Sequence, residues 1–407
     1  MNFKRLVLGT AAGALAVTGA QAADLPVVVE PVDYVRICDA VGTGYFFIPG
    51  TETCMRIRTR VRTDYALFFD LDDTNDYVLA GNGYDNFADV GYLFRARGYV
   101  RMNTVTQTEF GQLETFVDIF VTNDNGTDLG ADVDSALIQL GGIIFGRFAT
   151  AFNSSGVGSG VGVYTTERTF DLGNQTGNAN QIQYIASFGN GLTGQIAIQD
   201  TNQFRRGIVN GAYGGSKFPD LVAKISVEQG WGAAYLSGAV RYLETSNNGG
   251  VTTNDDFGFA VSGGVEVNVP FGTGTVVGIQ GSYGYGATGY TYDSISTVLS
   301  VPTGISDAAY VGNQFELSTA AAVVAGVKTN FTPTVSGALG AGWTYLDNEL
   351  IGDAYNLNFQ GTIGWTPVSG LGFTFGAEYR FADTEFNNGV SVDDSALTTF
   401  MRVQADF

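Results

Sequence analysis

The sequence predicts an all-β chain closed into a transmembrane antiparallel β-barrel of about sixteen strands. Three observations carry that prediction: strict alternation of apolar and polar residues, connections that alternate between short and long, and a composition both acidic and sparsely charged. From Cys54 to Phe407 the alternation has period two, the spacing of strands with one apolar and one polar face. In the last segment Leu397, Thr399, Met401, Val403, Ala405 and Phe407 fall on one side, and Phe400, Arg402, Gln404 and Asp406 on the other. Residues 354–366 set Tyr355, Leu357, Phe359, Ile363 and Trp365 against Asn356, Asn358, Gln360 and Thr362. Residues 371–381 set Phe373, Phe375, Tyr379 and Phe381 against Thr374, Glu378 and Arg380, and 317–331 repeat the pattern.

A soluble sandwich would alternate too, so the connections decide. Short ones stand at Glu109-Phe110-Gly111, Gly141-Gly142, Gly189-Asn190-Gly191, Gln229-Gly230, Pro270-Phe271-Gly272, Thr332-Pro333 and 367–370. Long polar ones stand between them, at about 70–90, 124–132, 149–179, 202–219, 246–255, 286–314, 347–353 and 383–393. Short periplasmic turns at one end and long extracellular loops at the other mark an outer-membrane barrel. The strand number is even, and a lumen of that size holds an aqueous channel.

The barrel also accounts for the composition. Only 15% of the 407 residues are charged, where soluble domains carry about 25%. Yet 40 Asp and Glu stand against 20 Lys and Arg, a formal charge of −20. Lipid-facing positions exclude charge and water-facing positions accept it. Half of every strand is therefore apolar, and the 44% apolar content excludes a disordered acidic chain. The chain has no His, which removes Ser-His-Asp and Cys-His nucleophiles, His-ligated zinc and imidazole proton shuttles. No convergent carboxylate pair stands out, so we expect no enzyme, no cofactor and no metal. An acidic surface is likewise a poor partner for nucleic acid.

Residues 1–22 read as a cleaved signal peptide. Lys4 and Arg5 are followed by an apolar stretch from Leu6 to Val17 and by Ala20-Gln21-Ala22, the small-x-small pattern of a cleavage site. About a dozen apolar residues are too few to cross a bilayer. Residues 23–53 form a lead-in segment before the barrel, 54–407. Cys38 and Cys54, the only cysteines, are expected to form a disulfide in an oxidising compartment. A metal site is the alternative, but two thiols without His make a poor ligand set.

The basic residues are not scattered. Arg56, Arg58, Arg60 and Arg62 share one face of a strand, opposite Ile57, Thr59 and Val61; Arg95, Arg97 and Arg101 do the same on the next. The last strand closes beside the first and adds Arg402. A lipid-facing Arg costs about 2–4 kcal/mol near the midplane, so all eight are expected to face the lumen as a basic wall. Asp64, Glu114 and Asp118 are the expected local counterions. The acidic clusters Asp70, Asp72, Asp73 and Asp76, and Asp124, Asp128, Asp132 and Asp134, are assigned to external loops. Solvation is their default role, with divalent bridging to lipopolysaccharide as an alternative. Gly284-Tyr285-Gly286-Ala287-Thr288-Gly289 matches a phosphate-binding pattern without the βαβ unit it needs. Tyr65, Phe110, Phe188, Tyr242, Phe331 and Trp365 stand where interfacial aromatic girdles form.

The stretch Tyr34-Val35-Arg36-Ile37-Cys38-Asp39-Ala40-Val41-Gly42-Thr43-Gly44-Tyr45-Phe46-Phe47-Ile48-Pro49-Gly50-Thr51-Glu52-Thr53-Cys54 closely resembles the opening of the rhizobial-type alphaproteobacterial porins. The likeness continues through the Arg-bearing first strand to an aromatic last strand ending on Phe407. It implies a homotrimeric general porin of sixteen strands, with the third loop as constriction and Phe407 as the outer-membrane assembly signal. On that likeness the Gly-rich loop 149–179 folds inward, and Glu167 and Asp171 become the acids facing the basic wall. The expected function is then passive diffusion of small hydrophilic solutes and ions across the bacterial outer membrane, among lipid and lipopolysaccharide. Acidic mouths would lend it a weak cation preference that the arginines oppose. A non-conducting barrel serving as adhesin or envelope anchor is the alternative.

Overall fold

The computed structural model describes residues 36–71, 90–152, 177–247, 253–291, 306–312 and 314–407, without the side chains of Asp70, Val90 and Asp394. Its sixteen wall strands, numbered in chain order, begin with β1 (Cys54–Asp70), β2 (Val90–Thr108), β3 (Gly111–Asp124) and β4 (Thr127–Leu140). They continue with β5 (Ile143–Ala149), β6 (Asn178–Gly189), β7 (Leu192–Gln199) and β8 (Asp220–Gln229). The far side is β9 (Gly232–Asn247), β10 (Thr253–Val269), β11 (Thr273–Tyr285) and β12 (Thr319–Asn330). The ring is completed by β13 (Val335–Asn348), β14 (Gly352–Val368), β15 (Leu371–Phe386) and β16 (Ser391–Asp406).

Each strand pairs antiparallel with the next, and β16 returns to β1 in register from Arg60↔Asp406 to Asp70↔Ala396. Closure matters because an open sheet edge in hydrocarbon would strand unpaired backbone groups. Past the seam, Thr59 and Phe407 exchange both backbone hydrogen bonds, at 3.1 and 2.9 Å. The remaining edge of β1 is covered by Phe46–Phe47, which pair with Met55 and Cys54. The Cys38–Cys54 disulfide ties that hairpin to the first strand. Its Tyr45 is buried with Cys38, Cys54 and Val105, and donates its hydroxyl to Asn103.

Alternation sorts the two faces as expected. Ile57, Val61 and Leu67 are exposed on the outer face, while Arg62, Asp64 and Phe68 between them are buried on the inner face. Aromatic residues ring the barrel at both ends. Phe110, Phe188, Phe271 and Phe331 are exposed at the short turns. Tyr65, Tyr92 and Phe94 cluster at the other end, as do Phe218, Tyr242 and Phe257.

Three connections expected to be long are tight. β3 and β4 run past the expected 124–132 loop and meet at Asn125–Gly126, whose φ angles of 49° and 84° suit a two-residue hairpin turn. Residues 127–133 are exposed throughout. Asp124, Asp128, Asp132 and Asp134 therefore stand on strands, not on a loop. Likewise 347–353 reduces to a turn at 349–351, and 383–393 to one at 387–390. There Asn348 and Asn388 accept backbone N–H bonds from Leu350 and Val390.

Candidate functional site

Inner-face parity brings the arginines of β1, β2 and β16 together. Register sets Arg58 opposite Arg101, Arg62 opposite Arg97, and Asp64 opposite both Arg95 and Arg402. Like charges directly opposed are unfavourable unless counterions intervene. Four carboxylates do so: Arg402 Nε meets Asp64 at 2.6 Å, Arg101 Nε meets Asp118 at 2.5 Å, Arg95 Nη2 meets Asp124 at 2.6 Å, and Arg60 Nε meets Asp406 at 2.6 Å. Asp64 and Asp118 are expected partners; Asp124 and Asp406 are not. Glu114 departs from expectation and accepts from Asn103 Nδ2 at 2.7 Å instead.

Neutral groups help hold Arg62 and Arg97. Arg62 donates to Gln404 at 3.0 Å and to the Tyr99 hydroxyl at 3.2 Å; Arg97 donates to Thr122 at 2.8 Å and to the same hydroxyl at 3.3 Å. Tyr99 is the hub that sequence reasoning missed. Guanidinium carbons of Arg60, Arg62, Arg97 and Arg101 lie 5.3–5.9 Å from its ring, within cation–π range. Its signal was positional: Tyr99 shares the parity of Arg95, Arg97 and Arg101. Arg56 stacks on Tyr45 at 4.5 Å. Arg58 differs from all of these, being exposed, with no hydrogen bond or ion pair among the described residues.

On the lumen's other side, described residues of connections expected to lie outside pack against the inner face. The connection after β7 turns inward through a 3-10 turn at Thr201–Phe204; the one after β11 does so through Thr288–Tyr290. Phe204 and Tyr290 stack at 4.8 Å and bury themselves against the inner-face residues Ala197, Val222, Ala239 and Ala260. Above them, strand Ala308–Val311 pairs with Ile208–Val209 and with Gln314–Leu317. A buried charge knot holds the assembly. Arg241 Nη2 meets Asp220 at 2.8 Å, and its Nη1 meets Asp307 at 3.2 Å and the Phe204 carbonyl at 2.9 Å. Tyr290 donates to Asp220 at 2.7 Å, and Tyr213 donates to Asp307. Thr288 donates to Asp307 from its backbone N–H at 2.9 Å and from its hydroxyl at 2.7 Å.

The connection after β5 begins inside the lumen as well. Thr150 donates to Gln199 at 2.8 Å, and buried Phe152 packs against Tyr290 with ring centroids 4.9 Å apart. Glu167 and Asp171 lie outside the described residues, as do Asp72, Asp73 and Asp76 and residues 1–35. Among the described residues no cluster of His, Cys, Asp and Glu could hold a metal.

Comparison with known proteins agrees with this architecture. Porin Omp2b of Brucella suis biovar 1 is 33% identical over 312 residues, covering 71% of this chain and 75% of the relative. Porin Omp2b of Brucella canis is 32% identical over the same length. Among solved structures, the outer membrane channel DcaP of Acinetobacter baumannii superposes with a TM-score of 0.69 at 17% identity, over 89% of this chain and 99% of that one. OmpT of Vibrio cholerae gives 0.54 at 10% identity, over 88% and 99%. These two likenesses speak for the fold. The family described as Porin subfamily matches residues 24–406. A closed sixteen-strand wall with a polar interior, carried by a sequence that matches this family almost throughout, belongs to the porin subfamily and forms a passive diffusion channel in the bacterial outer membrane.

Proposed function

We propose that this porin sorts small hydrophilic solutes and ions by charge at the basic wall of Arg56, Arg58, Arg60, Arg62, Arg95, Arg97, Arg101 and Arg402. The observation that carries the reading is the gathering of eight guanidinia on one inner face of three neighbouring strands, where Arg58 stands exposed with no hydrogen bond or ion pair among the described residues. Rings of charge set selectivity in channels. The acidic side of the field comes from Glu167 and Asp171; burial of Phe152 supports an inward course for loop 149–179. The wider chain, at −20, tilts the mouths toward cations, and the wall opposes that tilt.

The protein works as a homotrimer in contact with lipid and lipopolysaccharide, performs no catalysis and needs no cofactor. Residues 1–22 are a signal peptide, 23–53 a periplasmic lead-in, and Phe407 the assembly signal. The family match starting at residue 24 supports the first, and the exposed Phe407 ring supports the last.

Reversal potential in planar bilayers under a KCl gradient tests the wall. The native channel should prefer cations weakly, and Arg58→Gln should strengthen that preference. A clear anion preference of the native channel would overturn the weak cation preference, and an unmoved potential in Arg58→Gln would remove the charge-sorting role of the wall.

A further inference from the structure

Residues 200–219 and the described residues 286–291, 306–312 and 314–318 occupy the lumen beside β7–β11, across the ring from the arginine wall. They are built as one body. Beyond the stacking of Phe204 on Tyr290, Gly289 lies so close to the Phe204 carbonyl that an added Cβ would collide with it. The 3-10 turns therefore meet backbone to backbone, and side-chain growth at that contact is excluded. Ile208, Leu243, Ala308, Tyr310 and Leu317 form a second buried cluster that joins the body to the inner face of β9. Tyr310 adds hydrogen bonds to Thr245 at 2.8 Å and to Asn254 at 3.1 Å.

One side chain touches every part of it. Arg241, 1% exposed, projects from β9 and bonds Asp220 on the wall, the Phe204 carbonyl in the first segment and Asp307 in the second. Asp307 in turn accepts from Arg206 N–H and from Tyr213 of the first segment, and from Thr288 of the second. A planar guanidinium with five fixed donors suits this task, since Nε and Nη2 grip Asp220 together while Nη1 reaches both the Phe204 carbonyl and Asp307. Buried ion pairs add little net stability over apolar packing, but they penalise every arrangement that breaks them. Such a knot therefore fixes the position of the body more than it holds the barrel together.

We propose that this lobe is a permanent half of the pore's constriction and that Arg241 is its clamp, a positioning residue that sets the size limit for neutral and charged solutes alike. The lobe narrows the channel from the β9 side, and the basic wall faces it from the β1 side. The inference is independent of charge sorting, because Arg241 is buried away from passing ions.

The test is single-channel conductance together with liposome swelling by sugars of graded size, on the purified native porin and on Arg241→Met. Freeing the lobe should raise single-channel conductance measurably above the native value. It should also admit larger sugars and leave the reversal potential near the native value. A variant with native conductance and native size limit would overturn the clamp, even if it unfolds at lower temperature. A second variant covers failure of Arg241→Met to assemble: replacing residues 202–216 with a short Gly-Ser linker removes half of the lobe and leaves all sixteen strands intact. It too should conduct more and admit larger sugars; unchanged values would overturn the lobe as a constriction. A native protein that conducts nothing would overturn both the clamp and the charge-sorting reading, whereas a shifted size limit with no response to Arg58→Gln would overturn charge sorting alone.

Discussion

An arginine in a barrel lumen can meet passing solutes or hold the wall together, and its burial and partners separate the two roles. Arg58 is exposed and unpaired among the described residues, whereas Arg101, on the facing strand, is committed to Asp118. Arg58→Gln should therefore shift selectivity with little effect on stability. Arg101→Gln should cost about 1–3 kcal/mol in urea unfolding from lipid vesicles, because it strands a buried carboxylate. Equal costs for the two would contradict the distinction. In the lobe, burial and then the neighbouring Asp307 push the Tyr213 phenol above its ordinary value; burial and then Asp220 do the same for Tyr290. Their stabilising contribution is complete below about pH 10, where tyrosines of an unfolded chain begin to ionise. It is lost as pH rises through the higher folded values. A near-ultraviolet titration of the folded porin should show both tyrosines resisting ionisation, with normal titration once the chain is denatured. The arginine face was legible in the sequence because parity within one strand reveals it. Counterions Asp124 and Asp406 were not, because cross-strand register chooses them. Arg241 was equally hidden, since Asp307 comes to it from a distant connection with no local pattern.

At the scale of elements, alternation located the strands and failed where they leave the membrane. Residues 127–133 alternate Leu129, Ala131 and Val133 with Asp128, Gly130 and Asp132, but the acidic residues and Gly130 read as a loop and mask that short apolar row. The signal that identifies the turn is Asn125-Gly126, a pair suited to two successive positive φ angles. Gly126→Val has open space around its Cβ, so its cost of about 1–2 kcal/mol is purely conformational. Urea unfolding compared with Gly126→Asn, which tolerates the left-handed region, would measure it. The inward course of 200–219 and of 286–291 and 306–312 carried no periodic signal, because packing of a few aromatic residues against small wall residues defines it. For the lead-in hairpin, the disulfide closes a short loop worth about 3 kcal/mol of chain entropy. The double variant Cys38→Ser with Cys54→Ser should therefore become cleavable by protease within residues 39–53 while the barrel itself stays protected. Protection equal to the native protein would show that packing of Tyr45 and Phe47 suffices.

For the whole molecule, the same parity that gathers charge inside exposes a continuous apolar belt outside. Ile279 sits midway along β11 on that belt. Ile279→Arg should destabilise the folded porin in vesicles by about 2–4 kcal/mol, an effect that vanishes if this face does not meet hydrocarbon. The seam has a further consequence, one of timing. Arg60 and Asp406, bonded across it, are 346 positions apart, and no local pairing can substitute for their meeting. Every other wall contact can form as neighbours arrive, but the ring cannot shut until its earliest and latest strands are both present. Until then β1 has one edge unclaimed, and the disulfide-tied hairpin at Phe46–Phe47 occupies only the stretch at Cys54 and Met55. The rest must stay free of other chains until β16 docks, so export and insertion of this porin end with a single event, the arrival of its last strand.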